Sequence, residues 1–119
     1  EIDTASLPTD NLISDIGTKT ISAYRSEISK AKTVFINGPP GIFEESNTEL
    51  GTKELLSYIA GADSFSVIGG GDSVAAASKY KLAEEFSYVC TGGGAMVRFL
   101  SGEELPVVKA LKKSAEKFR

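Results

Sequence analysis

Apolar residues follow a helical period in the segment 18–31. They lie three or four residues apart, at Ile21, Tyr24, Ile28 and Ala31. This spacing places them on one face, so we predict an amphipathic helix over 18–31 with Thr18 or Thr20 as its N-cap. Residues 1–17 are polar and turn-rich, which predicts a connector. We expect its apolar side chains to dock on something larger; they are Leu7, Leu12 and Ile13.

Three short apolar runs follow, and a glycine-rich loop comes after each of them. The runs are Thr33–Ile36, Phe65–Ile68 and Tyr88–Cys90. We predict a strand for each run. The first is β-branched and short, which is typical of a strand buried on both faces of a parallel sheet.

Helical patterns separate these runs and continue after the last one. We predict helices over Leu50–Ala60, Ser73–Tyr80 and Ala95–Leu100, and a last helix with Pro106 in its first turn. Gly102 is expected to end the third of these. The order α-β-α-β-α-β-α-α predicts an α/β fold, a three-layer αβα sandwich with a parallel, Rossmann-like sheet, here as a partial domain over 18–119.

The position of the glycine-rich loops predicts where a ligand binds. The loops 37–44, 69–73 and 91–95 each follow a predicted strand and precede a helix. In parallel α/β sheets, ligands bind beyond the carboxyl ends of the strands. We therefore expect the three loops to share one edge of the sheet.

Composition narrows the class of protein. The chain has 119 residues, enough for one domain, with 41% hydrophobic and 24% charged residues. The net charge of −3 argues against nucleic acid as a partner. The only basic cluster, 109–119, is interpreted as a solvated helix face. No stretch approaches the ~20 apolar residues of a membrane span, and no secretory signal is present, so we expect a cytoplasmic protein without a membrane partner.

Two further features of composition exclude kinds of chemistry. The chain has no histidine and one cysteine, Cys90, so we predict neither a zinc site nor a catalytic thiol, and we expect Cys90 to be a small buried side chain. The first residue is Glu1 rather than methionine, so we expect the chain to be an excerpt of a longer protein.

The loop 69–73 has the composition of a phosphate-binding turn. Glycines let the backbone approach an anion closely, and the following helix offers free N–H groups and the positive end of its dipole. Asp72 is then a candidate ligand for Mg²⁺, and Ser73 a donor to phosphate. The alternative interpretation makes Asp72 a helix N-cap and Ser73 an ordinary first-turn residue. The pattern is neither a Walker A motif nor a complete dinucleotide fingerprint.

The other two loops extend this hypothesis. Residues 91–95 again place backbone donors at a helix start, where they would stabilise a phosphoryl group in transfer, unless the segment is only a tight turn. The stiff loop 37–44 combines an amide, an apolar residue and a carboxylate, which suits a nucleoside edge and its ribose hydroxyls. Prolines and glycines also form ordinary loops, so that alternative stays open.

Taken together, these motifs resemble the C-terminal part of phosphoglycerate kinase. The resemblance runs from Asp15-Ile16-Gly17 to Leu105-Pro106. Between these ends it includes Asn37 to Glu44, Gly51-Thr52-Lys53, Ile68 to Ser73 and Thr91 to Ala95, in the family's order and spacing. One departure is Thr18, where the family usually has proline.

The resemblance implies a glycolytic phosphotransferase with a carboxyl acceptor, acting between 1,3-bisphosphoglycerate and ADP to give 3-phosphoglycerate and ATP with Mg²⁺. It implies a nucleotide site formed by Asn37, Pro39, Ile42, Glu44, Gly70, Gly71, Asp72 and Ser73. It also implies that Asp72 holds the metal and that Gly93 and Gly94 face the group in transfer.

The resemblance also implies that the N-terminal domain, which binds the phosphoglycerate, is absent from this chain. We therefore expect the isolated chain to be inactive. A non-enzymatic nucleotide- or anion-binding α/β module is the alternative.

Overall fold

The computed structural model of the chain describes residues 1–118. Its helices and strands follow the predicted order. They are α1 Thr18–Ile28, β1 Thr33–Asn37, α2 Leu50–Ala60, β2 Phe65–Gly69, α3 Gly71–Lys79, β3 Tyr88–Cys90, α4 Gly93–Leu100 and α5 Pro106–Phe118. Two short 3-10 turns, Thr4–Ser6 and Ala83–Glu85, add to the predicted elements.

The three strands form one parallel sheet in the order β1-β2-β3. The pairing aligns Asn37 with Gly69 and Gly69 with Cys90, so the last residues of all three strands are level. The loops that follow these residues therefore leave the sheet at the same edge. This confirms the α/β class, the parallel sheet and the expected position of the three loops.

The hydrophobic core lies on one face of the sheet, beneath α2 and α3. Ile68 of β2 is fully buried there. It packs in a cluster with Phe43, Leu56, Ile59, Ala76, Ala77 and Phe86. These side chains come from α2, α3 and two connecting loops, so one layer of helices completes this core.

The prediction that the first strand is buried on both faces is wrong. Residues of β1 are exposed and half-buried in alternation, and Phe35 is 40% exposed. Within residues 1–118, β1 pairs only with β2 and is an edge strand. A short apolar run does not reveal how many neighbours a strand has. Cys90, also expected to be buried, is half-buried at the end of β3.

The start of α1 differs from the prediction as well. The N-cap is Gly17, which has no side chain to offer, and Thr18 is the first helical residue. The Glu1 carboxylate accepts hydrogen bonds from the Thr18 N–H at 2.9 Å and from its hydroxyl at 3.0 Å. A residue 17 positions away thus satisfies the helix end, which a local cap pattern does not show. The helix ends at Ile28, three residues before the predicted end.

The two ends of the described chain are more exposed than its middle. Leu7, Leu12 and Ile13 are exposed in residues 1–118, so their docking stays a prediction. No residue of α5 is buried, including residues 109–118 of the basic cluster, whose last residue, Arg119, lies outside the described residues. None of the helices in residues 1–118 has the length and apolar character needed to span a membrane.

Candidate functional site

The three glycine-rich loops meet at Asn37, Gly70 and Gly93. A Cβ atom built on Gly93 would lie 2.6 Å from the Gly70 nitrogen and would also clash with the Asn37 Oδ1 atom. Gly70 itself adopts φ +91°, a conformation that favours glycine. One loop therefore touches the other two at this point, and the junction leaves no room for a side chain on Gly93.

The loop 69–73 ends in the N-terminus of α3. The first helical hydrogen bond runs from the Val74 N–H to the Gly70 carbonyl, so the N–H groups of Gly71, Asp72 and Ser73 have no partner within the helix. Gly70 is the N-cap, which excludes Asp72 from that role. Asp72 lies in the first turn and is exposed. Its carboxylate is therefore accessible from solvent at the edge where the loops meet.

Ser73 has a structural partner. Its side chain is 1% exposed, and its hydroxyl oxygen accepts a hydrogen bond of 2.7 Å from the Gly38 N–H. This bond joins the loop 37–44 to the first turn of α3. Ser73 is thus a buried residue that joins two loops, and its role as a donor to phosphate stays a prediction.

The loop 91–95 provides a second helix N-terminus. The Met96 N–H bonds the carbonyl of Gly92, the N-cap, so the N–H groups of Gly93, Gly94 and Ala95 have no partner within α4. The helix begins two residues earlier than predicted. Since Gly93 touches Gly70, the starts of α3 and α4 are adjacent. Two sets of free N–H groups thus lie beside each other at the sheet edge.

The loop 37–44 is held by residues that the sequence analysis did not assign. The fully buried Thr52 hydroxyl bonds both the N–H and the carbonyl of Gly41, at 3.1 and 3.3 Å. The Asp15 carboxylate lies against Gly41 of the loop, where a Cβ atom would clash with it, and accepts a hydrogen bond of 2.8 Å from the Gly51 N–H at the start of α2. Both residues stand in motifs that carried the family resemblance, and this was the only signal of their role.

The predicted nucleoside contacts in this loop differ in exposure. Asn37, Ile42 and Glu44 are exposed, and Pro39 is half-buried. The Ile42 N–H donates to the Ser14 carbonyl at 3.0 Å. The Glu44 carboxylate is therefore available to a ligand, beside the buried ring of Phe43.

A polar cluster of Lys79, Glu49 and Tyr80, which the sequence did not predict, lies next to this loop. Lys79 donates hydrogen bonds to the Phe43 carbonyl at 2.5 Å and to the Glu49 carboxylate at 2.7 Å. The Tyr80 hydroxyl donates to the same carboxylate oxygen at 3.0 Å. The pKa of Glu49 is lowered mainly by the hydrogen bond from Lys79 and, to a lesser extent, by the one from Tyr80. The pKa of Tyr80 is raised to about 12 by partial burial and by the neighbouring Glu49 carboxylate.

The charges of the three loops decide how they can hold a phosphate. The loops contain two carboxylates, on Glu44 and Asp72, and no lysine or arginine. Among residues 1–118, no three acidic, cysteine or histidine side chains gather into a metal cage. Mg²⁺ keeps several waters and binds proteins through one or two carboxylates together with substrate phosphates. The exposed Asp72 carboxylate beside free N–H groups fits that mode of binding.

An apolar cleft of about 400 Å³ lies elsewhere, beside the edge strand β1. Tyr24, Ile28, Val34 and Leu55 are among its lining residues, and it reaches Gly38 and Pro40 in the loop. None of the predicted site residues lines it. The candidate site is therefore the loop junction and not this cleft.

Comparisons of this chain with known proteins all point to the same family. The model of the phosphoglycerate kinase family matches residues 1–103. The chain is 51% identical over 110 residues to phosphoglycerate kinase of Pyrococcus abyssi, covering 92% of this chain and 27% of that protein. It is 47% identical over 105 residues to the Methanothermus fervidus protein of the same name, covering 88% and 26%.

The solved structures that resemble this chain belong to the same family. Phosphoglycerate kinase from Coxiella burnetii matches with a TM-score of 0.81 at 37% identity, over 92% of this chain and 28% of that chain. The enzyme from Pyrococcus horikoshii OT3 matches with a TM-score of 0.80 at 45% identity, over 92% and 27%. The chain spans about a quarter of the length of these relatives. The resemblance and the αβα, Rossmann-like fold are confirmed.

Proposed function

The chain belongs to the phosphoglycerate kinase family, and from this membership we propose that it forms part of the Mg-nucleotide site of such an enzyme. The whole protein transfers a phosphoryl group between 1,3-bisphosphoglycerate and ADP, giving 3-phosphoglycerate and ATP in the cytoplasm. The acceptor is a carboxyl group, bound by a further domain outside this chain.

The observation that carries this proposal is the contact between the starts of α3 and α4. Free N–H groups of Gly71 to Ser73 lie beside those of Gly93 to Ala95, because Gly93 packs directly on Gly70. Phosphoryl transfer asks a protein mainly to position its substrates and to stabilise negative charge. Two adjacent helix N-termini supply such stabilisation without a cationic side chain.

The remaining roles follow the geometry of the loops. Glu44 accepts hydrogen bonds from the ribose hydroxyls, while Asn37, Pro39 and Ile42 line the nucleoside. Residues 70–73 hold the phosphates, with Gly71 to Ser73 providing main-chain N–H groups and Gly70, whose own N–H donates to the Cys90 carbonyl, shaping the turn. Gly93 and Gly94 face the group in transfer. When bound, Mg²⁺ neutralises phosphate charge, and Asp72 is the residue that would hold it.

The isolated chain is expected to bind without catalysing the reaction. The three loops provide donors for a nucleotide, but the chain offers no basic side chain in them to orient a second, phosphorylated substrate. Bringing two substrates together provides a large part of the rate enhancement in such reactions. In the whole protein, closure of two domains would supply that step.

Calorimetric titration of the chain with Mg-ADP tests the proposal. We expect saturable binding that Asp72→Ala weakens about tenfold or more, since contacts of a charged group contribute about 1.5–3 kcal/mol. Because the loops contain no cation, EDTA should abolish binding. Asp63→Ala, an exposed acid at the opposite end of β2, is the matched control and should bind like the original chain.

The outcomes separate the two candidate functions. Binding without formation of ATP from ADP and 1,3-bisphosphoglycerate supports the proposed half-site. Equal affinity for Mg-ADP and inorganic phosphate would instead favour an anion-binding module. Absence of any binding would contradict a nucleotide site formed by this chain alone.

A further inference from the structure

The polar cluster of Lys79, Glu49 and Tyr80 lies outside the loops but bonds directly to one of them. Lys79 is the last residue of α3, and Glu49 is the N-cap of α2. The Lys79 ammonium joins the Phe43 carbonyl to the Glu49 carboxylate. It therefore connects two points, 43 and 49, of the segment between β1 and α2.

The bond to Phe43 fixes the orientation of the next residue. The carbonyl of Phe43 and the N–H of Glu44 belong to one planar peptide unit, so a hydrogen bond that orients the first also orients the second. The Phe43 ring is buried in the core, which anchors the other side of this residue. Glu44 thus leaves a backbone held at both the ring and the carbonyl of its neighbour.

Helix α3 contacts the candidate site at both of its ends. The first turn of α3 carries Asp72 and the free N–H groups, and its last residue is Lys79. A helix of nine residues is about 13 Å long and rigid on this scale. The contact of Lys79 with Phe43 therefore fixes the loop that carries Glu44 relative to the first turn of α3.

We propose that Lys79, held by Glu49 and Tyr80, is a positioning residue that orients the Phe43–Glu44 peptide and so sets Glu44 for the ribose of the nucleotide. This inference rests on the proposed nucleotide site. Tyr80 assists indirectly, because its hydroxyl holds the Glu49 oxygen that also accepts from Lys79. In this proposal Lys79 acts on the nucleotide only through the loop, by its bond to the Phe43 carbonyl.

Amide hydrogen exchange tests the positioning without any ligand. The Glu45 and Thr48 N–H groups bond carbonyls within the same segment, at 3.3 and 3.1 Å. In Lys79→Met we expect their exchange to accelerate about fivefold, while amides of β2 keep their protection. Lys79→Arg, which retains the charge and donors, should restore it. Lys113→Met removes an equal charge from the exposed α5 and serves as control.

Nucleotide binding then tests the effect on Glu44. Lys79→Met should weaken Mg-ADP about fivefold and leave Mg-2′,3′-dideoxy-ADP, which lacks the ribose hydroxyls, unchanged. Glu44→Gln should produce the same selective loss, and the double variant should lose no more than either single one.

The two experiments test separate parts of the proposal, the positioning role of Lys79 and its link to the ribose. Unchanged exchange in Lys79→Met overturns the positioning role, whatever the affinities. Faster exchange with equal loss of both nucleotides, or with no loss, overturns the link to the ribose. If the original chain binds neither nucleotide, the proposed nucleotide site fails and the ribose role with it, while exchange still decides whether Lys79 orients the loop.

Discussion

The α/β body, residues 14–93, and the C-terminal arm, residues 94–118, both contain amphipathic helices, but only the body buries their apolar faces. In the body, α2 packs Leu56 and Ile59 against the sheet. In the arm, Val107 and Leu111 of α5 remain exposed. The difference teaches that an apolar period specifies a helix and the face it would bury, whereas burial requires a partner of matching shape.

The largest expected effect is on the free energy of unfolding, when a leucine is replaced by alanine in the body or in the arm. Leu56 is 1% exposed and Leu111 is 64% exposed. Leu56→Ala should lower the free energy of unfolding by about 3 kcal/mol, because it leaves a cavity in the core. Leu111→Ala should change it by less than about 0.5 kcal/mol. Urea unfolding followed by circular dichroism measures both. Comparable losses would show that α5 packs on a partner, such as a second copy of the chain.

The next effect tests the boundary between body and arm. A methyl group on Gly93 would clash with Gly70 and Asn37, whereas one on Gly94 would meet nothing within 4 Å. Gly93→Ala should cost about 1–3 kcal/mol of unfolding free energy through overpacking. Gly94→Ala should be neutral or stabilising by up to about 1 kcal/mol, since alanine favours the helix.

Thermal unfolding and amide chemical shifts check this pair of glycine variants. We expect Gly93→Ala to shift the resonances of Asn37 and Gly70, and Gly94→Ala to leave them in place. A tolerated Gly93→Ala with unshifted resonances would mean that the three loops do not meet at Gly93.

The smallest effect concerns the attachment of the N-terminus to the body. Hydrogen bonds from the Thr18 N–H and hydroxyl lower the pKa of Glu1 below its usual 4.5. A carboxylate whose pKa falls on folding stabilises the folded state above its unfolded pKa, and this contribution is lost as pH falls through the folded pKa. The hydrogen bonds between Thr18 and Glu1 should therefore be intact above about pH 4.5 and be lost as the pH falls through the lowered pKa of Glu1.

The Thr18 amide resonance reports this transition. It should titrate with a midpoint below 4.5, and Glu1→Gln should remove the titration. The Lys109 amide in the first part of α5 bonds the Leu105 carbonyl and no carboxylate, so it should not follow the same curve. A Thr18 midpoint at or above 4.5 would contradict the described hydrogen bonds.

Much of the site could be predicted from the sequence because its chemistry is local. Glycines after a strand and before a helix indicate free N–H groups at a helix start, and Gly70 to Ser73 and Gly93 to Ala95 have that arrangement. Level strand ends in a parallel sheet then bring the loops to one edge. The roles of Glu44 and Asp72 stay predictions.

The supporting contacts could not be predicted, because they join residues far apart in the chain. Lys79 meets the Phe43 carbonyl across 36 residues, and Gly38 meets the Ser73 hydroxyl across 35. A lysine at a helix end and a serine in a first turn have ordinary local explanations. Their partners exist only when α3 is docked beneath the loop.

The sequence by itself determined the order of helices and strands, the parallel sheet and the edge at which the glycine loops lie, since period, turn residues and connection length are local properties. The tertiary structure decided which apolar faces are buried, that β1 is an edge strand among residues 1–118, and that Gly93 must lack a side chain. Those outcomes depend on packing between segments distant in the chain, and packing is set by shape and neighbours rather than by pattern.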